Sequence, residues 1–212
     1  SLVISHWSLV ISHWSLIISH WPLVINHYLR IMERKQLLTS QELDVILHRL
    51  ACQLIENHTD FSDTVLIGLQ PRGVFLAQRL VAMLRQEYQV AGIQYGALDI
   101  TFFRDDFRRG EKPLAANTTD IPFLVEDKKV VFIDDVLYTG RSIRAALTAL
   151  QSFGRPSKVE LSVLIDRRFS RDLPIQPDYI GKAVDAINKE RVVVNWASQD
   201  GEDAVYLVEK QA

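Results

Sequence analysis

The apolar positions along this 212-residue chain alternate between two periods. In TSQELDVILHRLACQLIENH, apolar residues at 43, 46, 47, 50, 54 and 55 follow the three-and-four spacing of a helix face. Thr39 or Ser40 can cap that helix, with Glu42 close to a capping-box position. TVLIGLQ (64–70) is a short apolar run of strand length, and PRGVFLAQRLVAMLRQEY returns to helical spacing. IQYGALDITFF (93–103) alternates in part and reads as one long strand. KVVFIDD is a strand, GRSIRAALTALQSFG a helix ended by Gly154, and KVELSVLID a strand. The polar stretch RRFSRDLPIQPDYIGK comes next, and short strands RVVVNW and AVYLV close the pattern. Strands alternating with helices, the central ones continuously apolar, predict an α/β fold whose parallel sheet is covered on both faces.

Two segments stand outside this pattern. RDDFRRGEKPLAANTTD (104–120) is polar, charged and broken by Gly and Pro; it is too long for an ordinary connector and reads as functional or mobile. The chain opens with four tandem heptads, SLVISHW SLVISHW SLIISHW PLVINHY, which hold no charged side chain apart from histidine. They fit a coiled coil poorly, because apolar residues fill four heptad positions without charged flanks. A secretory signal fits no better, and the repeated histidines lack the carboxylates or cysteines of a metal site. The expectation is that the heptads record a repeated DNA unit. Residues 1–31 are then a non-native or disordered extension, and ordinary globular sequence starts at Met32, giving one domain over 32–212.

Composition narrows the classes. A net charge of −2 carries no overall basic signature for nucleic acid, although it leaves room for a local basic patch. The single cysteine, Cys52, excludes an intrachain disulfide and a cysteine-based zinc site, in keeping with a reducing cytoplasm. No run of 18 apolar residues suggests a membrane span. Cys52 reads as a small core or boundary residue, His48 and His58 as surface residues, and Trp196 as packing against the sheet.

The chemistry concentrates at the carboxyl ends of strands, where open α/β sheets bind ligands. Three such ends carry unusual residues, Gln70-Pro71-Arg72-Gly73, Asp134-Asp135 and Asp166-Arg167-Arg168, and these are expected to converge on one cleft. In VVFIDDVLYTGRS (130–142) an apolar strand runs into two carboxylates, and a short loop then opens a helix. Paired carboxylates accept hydrogen bonds from a sugar diol or hold magnesium through water. The loop's successive N–H groups and the helix dipole make an anion nest, to which Thr139 and Ser142 add hydroxyls. Gly140 permits close approach. The combination reads as a ribose 5-phosphate site. A helix cap beside solvated acids is the plainer reading, but it does not account for the whole ordered string. The loop is not a Walker A motif.

VVFIDDVLYTGRS resembles the phosphoribosyl-pyrophosphate (PRPP) motif of the type I phosphoribosyltransferases. More narrowly, LIGLQPRG, LDITFFRDD, IDDVLYTGRSIRAAL and LIDRRFSRDLPIQPDYIGK resemble the PyrR family, in the expected order from about Gln36 to Val208. The resemblance implies the type I phosphoribosyltransferase fold, with a mobile loop near 104–120 and a small hood near 166–182. It implies a uracil phosphoribosyltransferase that converts uracil and PRPP to uridine monophosphate and pyrophosphate with Mg2+. It also implies a cytoplasmic, dimer-based regulator that responds to uridine nucleotides and binds pyrimidine-operon leader RNA to control transcription attenuation. A salvage enzyme without RNA binding, and a transferase for another base, are the alternatives.

By the same resemblance Asp134 and Asp135 contact the ribose hydroxyls of PRPP. Val136, Leu137, Tyr138, Thr139, Gly140, Arg141 and Ser142 complete the PRPP loop, and Pro71, Arg72 and Gly73 form the pyrophosphate loop. Arg104 and Asp105 join the acid pair in the catalytic set; Arg104, Arg108 and Arg109 neutralise the leaving pyrophosphate, with an ordinary solvated charge run as the alternative for Arg108 and Arg109. Asp166 and Arg167 lie near the base, and no metal ligand is assigned. For RNA, the first helix offers a poor basic face, with Arg49 and two histidines set against Glu42, Asp44 and Glu56. RRFSR and Lys182 restore some positive charge near the hood. The tract DRRFSRDLP is one residue longer than the commoner family form.

Overall fold

The computed structural model describes residues 34–105, 117–187 and 190–209. The expectations for residues 1–31 and for Arg108 and Arg109 lie outside the described residues.

The chain begins with β1 (Arg34–Leu38) and α1 (Ser40–His58), followed by β2 (Thr64–Leu69), α2 (Gly73–Gln86) and β3 (Gln94–Leu98). Next come β4 (Lys129–Leu137), α3 (Arg141–Leu150) and β5 (Lys158–Arg168). The chain closes with β6 (Tyr179–Asp185), β7 (Glu190–Asn195), the one-turn helix α4 (Ala197–Asp200) and β8 (Ala204–Glu209). Five strands form a parallel sheet in the order β3-β2-β4-β5-β6, and β1-β8-β7 form a small antiparallel sheet. Chain order reverses between β2 and β4, so the sheet has its switch point, and hence its ligand crevice, at their carboxyl ends.

Alternation along the central strands feeds two cores. Leu66, Val131 and Ile133 pack with α1, α2 and the small sheet. Val65, Ile67, Val130 and Phe132 pack with α3 on the other face. Each core side chain removed from water stabilises the fold by roughly 1.5–3 kcal/mol. The predicted α1 capping box is present: the Thr39 hydroxyl accepts the Glu42 N–H, and the Glu42 carboxylate accepts the Thr39 N–H at 2.8 Å.

The sheet departs from the sequence pattern at its margins. β1 and β6 were not anticipated, because both lie on edges where one side faces solvent and polar residues such as Arg34, Lys35 and Lys182 are tolerated. β6 takes up part of the expected hood. The run 93–103 is not one strand: β3 stops at Leu98, and Thr101–Phe103 turns as a 3-10 helix. β4 and β5 continue past their charged residues, with Val136 opposite Ile165 and Leu137 opposite Asp166. A carboxylate does not interrupt a ladder made by the backbone.

Two side chains differ from expectation. Cys52 is exposed, since the buried stripe of α1 runs through Leu47, Leu50, Ala51 and Leu54 and leaves it outside. His48 lies at the surface as expected, with Nε2 at 3.0 Å from Glu87. His58 is not a surface residue: it is 4% exposed, contacting Thr64 Oγ1 at 3.1 Å, the Tyr179 hydroxyl at 3.0 Å and Glu160 at 2.9 Å. Its partners come from β2, β5 and β6, which no local pattern brings together. Trp196 is buried as expected. Among the described residues no helix is long and apolar enough to cross a membrane.

Burial holds the His58 ring below its ordinary pKa of 6.5, against the opposing pull of Glu160. On acidification the unfolded chain takes up a proton there that the fold resists, so stability falls as pH drops through that value. His58→Gln should cost about 2 kcal/mol near neutral pH through lost hydrogen bonds. It should also flatten the decline in melting temperature between about pH 7.5 and about pH 5.5. An unchanged slope in thermal melts of the variant would assign the decline to other groups.

Candidate active site

A cavity of about 640 Å3 opens at the carboxyl end of β4, lined by Arg104, Asp105, Asp134 and the run 136–143. Its floor is the loop between β4 and α3. Gly140 caps α3 with φ of 89°, a left-handed conformation that a side chain resists, and a Cβ there would press on Ile175 at 3.2 Å. The loop's carbonyls are turned away from the cavity. Thr139 O accepts the N–H groups of Asp172 and Leu173 at 3.0 and 3.2 Å, and Tyr138 O accepts from Arg171. With those carbonyls tied down, the first-turn N–H groups of α3, which have no acceptor within the helix, are the polar atoms left for an anion.

Successive residues in a strand point to opposite faces, and this separates the acid pair. Asp134 lines the cavity, while Asp135 Oδ2 lies 3.6 Å from Arg72 Nε on the α2 side. Asp134 Oδ1 accepts the Asp135 N–H at 3.0 Å. Burial pushes the Asp134 carboxyl well above its ordinary range, and the neighbouring Asp135 charge adds to this while Arg104 opposes it. Burial raises Asp135 as well, against the pull of Arg72. Gly73 lets α2 start directly against β4, since a Cβ at 73 would lie 2.9 Å from Asp134 Cα and 3.0 Å from its Oδ1.

Around the rim, the Asp105 carboxylate meets Arg141 and, at 3.1 Å, Arg144. Arg141 Nε also holds Asp172 at 3.0 Å, so one arginine joins the end of the β3 segment to the hood. Asp166 is paired with Arg171. Arg167 does not line the cavity: it is 3% exposed, stacked 4.0 Å from the Tyr138 ring and bonded to the carbonyls of Ile187 and Glu190. The structure thus brings together Arg104, Asp105, Asp134 and 136–142. It sets Pro71, Arg72, Gly73 and Asp135 on the α2 side, and it places Asp166 and Arg167 behind the loop. The sequence reading missed Arg144, Arg171 and Asp172. Arg144 falls one helical turn after Arg141, a spacing that was readable; the others sit in polar runs without a period.

A five-stranded parallel sheet with an acid pair and an anion nest at its switch point has the layout of a phosphoribosyltransferase, and the model of the phosphoribosyl transferase domain matches residues 33–199. The protein named Bifunctional protein PyrR from Desulfosudis oleivorans is 45% identical over 180 residues, covering 84% of this chain and 98% of that protein. The one from a Roseiflexus species is 42% identical over 183 residues, covering 85% and 98%. The chain belongs to the PyrR family. Among solved structures, a hypoxanthine phosphoribosyltransferase from Staphylococcus aureus superposes with a TM-score of 0.60 at 21% identity, over 83% of this chain and 92% of that one. The HGPRT-ase from Leishmania tarentolae gives 0.63 at 13% identity, over 84% and 97%. At these identities the two share the fold.

An acid whose pKa is raised on folding lowers stability as pH climbs above its ordinary value. Asp134→Asn should therefore raise the melting temperature of the ligand-free protein, more at neutral pH than near pH 4, while weakening PRPP binding. Melting curves at two pH values check this, and a variant less stable than wild type at both would contradict it.

Proposed function

We propose that the protein is a uracil phosphoribosyltransferase that also regulates pyrimidine genes by binding RNA in response to uridine nucleotides. One observation carries the enzymatic part: Asp134 lines the same cavity as an anion nest, and Asp135 stands next to it with Arg72 as its partner. The nest at 138–142 takes the 5-phosphate of PRPP. Asp134 and Asp135 accept the ribose hydroxyls, and Arg72 and Arg104 bring positive charge toward the pyrophosphate. The bond from ribose C1 to the pyrophosphate oxygen breaks, and a bond from C1 to uracil N1 forms. The N1 proton is lost, and pyrophosphate leaves with the bonding electrons. The carboxylates stabilise positive charge on the ribose ring as it develops, and positioning does the rest. No nucleophilic side chain is needed.

The donor set suits Mg2+, which prefers carboxylate and phosphate oxygens and binds through few protein ligands. Among the described residues no cluster of three or more His, Cys, Asp or Glu gathers to hold a metal. Asp134 and Asp135 are the residues that would hold the ion, which would supply positive charge to the pyrophosphate. Uracil, rather than a purine, follows from membership of the PyrR family. The cytoplasm and a dimer-based assembly are part of the same reading.

For RNA, the cations near the hood are engaged within the chain. Arg168 pairs with Asp185 at 2.7 Å, Lys182 bonds to Leu37 O at 2.9 Å, and Arg49 bonds to Ile180 O at 3.1 Å. RNA phosphates would compete for them, which makes the binding salt-sensitive. The support for this second activity is the family.

Pyrophosphate release from PRPP and Mg2+ should occur with uracil and not with hypoxanthine, guanine, adenine or orotate. Turnover with one of those bases instead would replace uracil. Asp135→Asn should lower kcat/KM for PRPP roughly 10–100-fold, the loss of one charged hydrogen bond. A mobility shift with pyrimidine-operon leader RNA should appear at low salt with uridine monophosphate, and its absence would remove the regulatory reading.

A further inference from the structure

The small carboxyl-terminal sheet reaches the candidate site at one point. β7 ends at Asn195, Trp196 is 1% exposed in the core, and α4 turns the chain back. Asp200, the last residue of α4, accepts the Trp196 N–H on Oδ2 at 2.9 Å. The same oxygen accepts from Arg72 Nη2 at 2.8 Å, and that nitrogen also donates to the Val194 carbonyl. On its Nε side the Arg72 guanidinium faces Asp135 Oδ2 at 3.6 Å. The arginine is therefore gripped from behind by the segment after β7 and presented to an acid of the pair in front.

Without that grip little would fix it. Arg72 is the residue before α2, makes no side-chain cap there, and its side chain is 36% exposed. A long arginine side chain in such a place samples many rotamers. Asp200 is well suited to hold it. Its own position is set by a backbone N–H next to a buried tryptophan, and its carboxyl is held below the ordinary range first by that N–H and then by Arg72.

We propose that Asp200 is a positioning residue for the phosphoribosyl transfer, holding Arg72 in the pose that serves Asp135 and the pyrophosphate of PRPP. Asp200 touches neither substrate and acts through Arg72. The inference rests on the pyrophosphate reading of Arg72 given above. It makes the small sheet part of the catalytic apparatus, linking Trp196 to Asp200, Arg72 and Asp135 in turn. The opposite reading of the same contact is a latch that keeps Arg72 away from PRPP, and the two predict opposite changes in PRPP affinity.

The test is a double-mutant cycle on the full chain, with Asp200→Ala, Arg72→Ala and the pair, read as KM for PRPP, KM for uracil, kcat and melting temperature. Asp200→Ala should raise the PRPP KM about tenfold while leaving the uracil KM within about twofold. Asp200→Asn, which keeps an oxygen acceptor, should recover part of the loss. In the Arg72→Ala background Asp200→Ala should add nothing. An unchanged or lower PRPP KM in Asp200→Ala, or an equal further loss in the Arg72→Ala background, overturns the proposal. If Asp200→Ala does not fold, Asp200→Asn carries the same cycle with a smaller expected rise. If Arg72→Ala itself leaves the PRPP KM unaltered, the pyrophosphate reading fails, and the inference with it.

Discussion

Two adjacent carboxylates in a central strand, packed on both faces, are an unfavourable arrangement that the rest of the site manages. Burial pushes both upward in pKa, the Asp135 charge raises Asp134 further, and Arg104 opposes the rise at Asp134 as Arg72 does at Asp135. An isolated buried carboxylate is costly, and here each acid has an arginine to offset that cost. Strand alternation divides the two acids between faces, so each can be answered by a different element. Arg104 comes from the segment after β3 and Arg72 from the turn before α2, the two connections that flank the switch point.

The same division organises the anion site. The hood segment 171–173 ties down the carbonyls of Tyr138 and Thr139, and Arg141 joins Asp105 to Asp172 across the rim. The loop after β4 is thus oriented by residues more than thirty positions downstream, while its glycine supplies the left-handed turn that opens α3. Positive charge on Arg104 and Arg141 and negative charge on Asp134 face one cavity. A ligand with a phosphate at one end and a diol at the other satisfies both.

The sequence made legible what local chemistry determines. The apolar runs of β2, β4 and β5, the helical stripes of α1, α2 and α3, and the Thr39–Glu42 cap are each written within a few residues, and the acid pair followed by a small loop announced the site. What it did not show depends on residues far apart in the chain. Edge strands β1 and β6 carry little periodicity because one side faces water. His58 looked exposed because its partners Thr64, Glu160 and Tyr179 arrive from three strands. Arg167 stood at a strand end as if aimed at a ligand, yet Tyr138 covers it. Asp200 sits in a polar run with no pattern to distinguish it from a solvated turn.

The central claim is that the acid pair resists ionisation until a cation-bearing ligand arrives. Calorimetry of Mg2+-PRPP binding to the wild-type chain, in buffers of different ionisation heat from about pH 5.5 to about pH 8, tests it most directly. The account predicts proton release from the protein on binding, after correction for the ligand's own protons. That release should be largest at the acidic end, with affinity strengthening as pH rises. Binding that releases no proton at any pH, with affinity independent of pH, would contradict it.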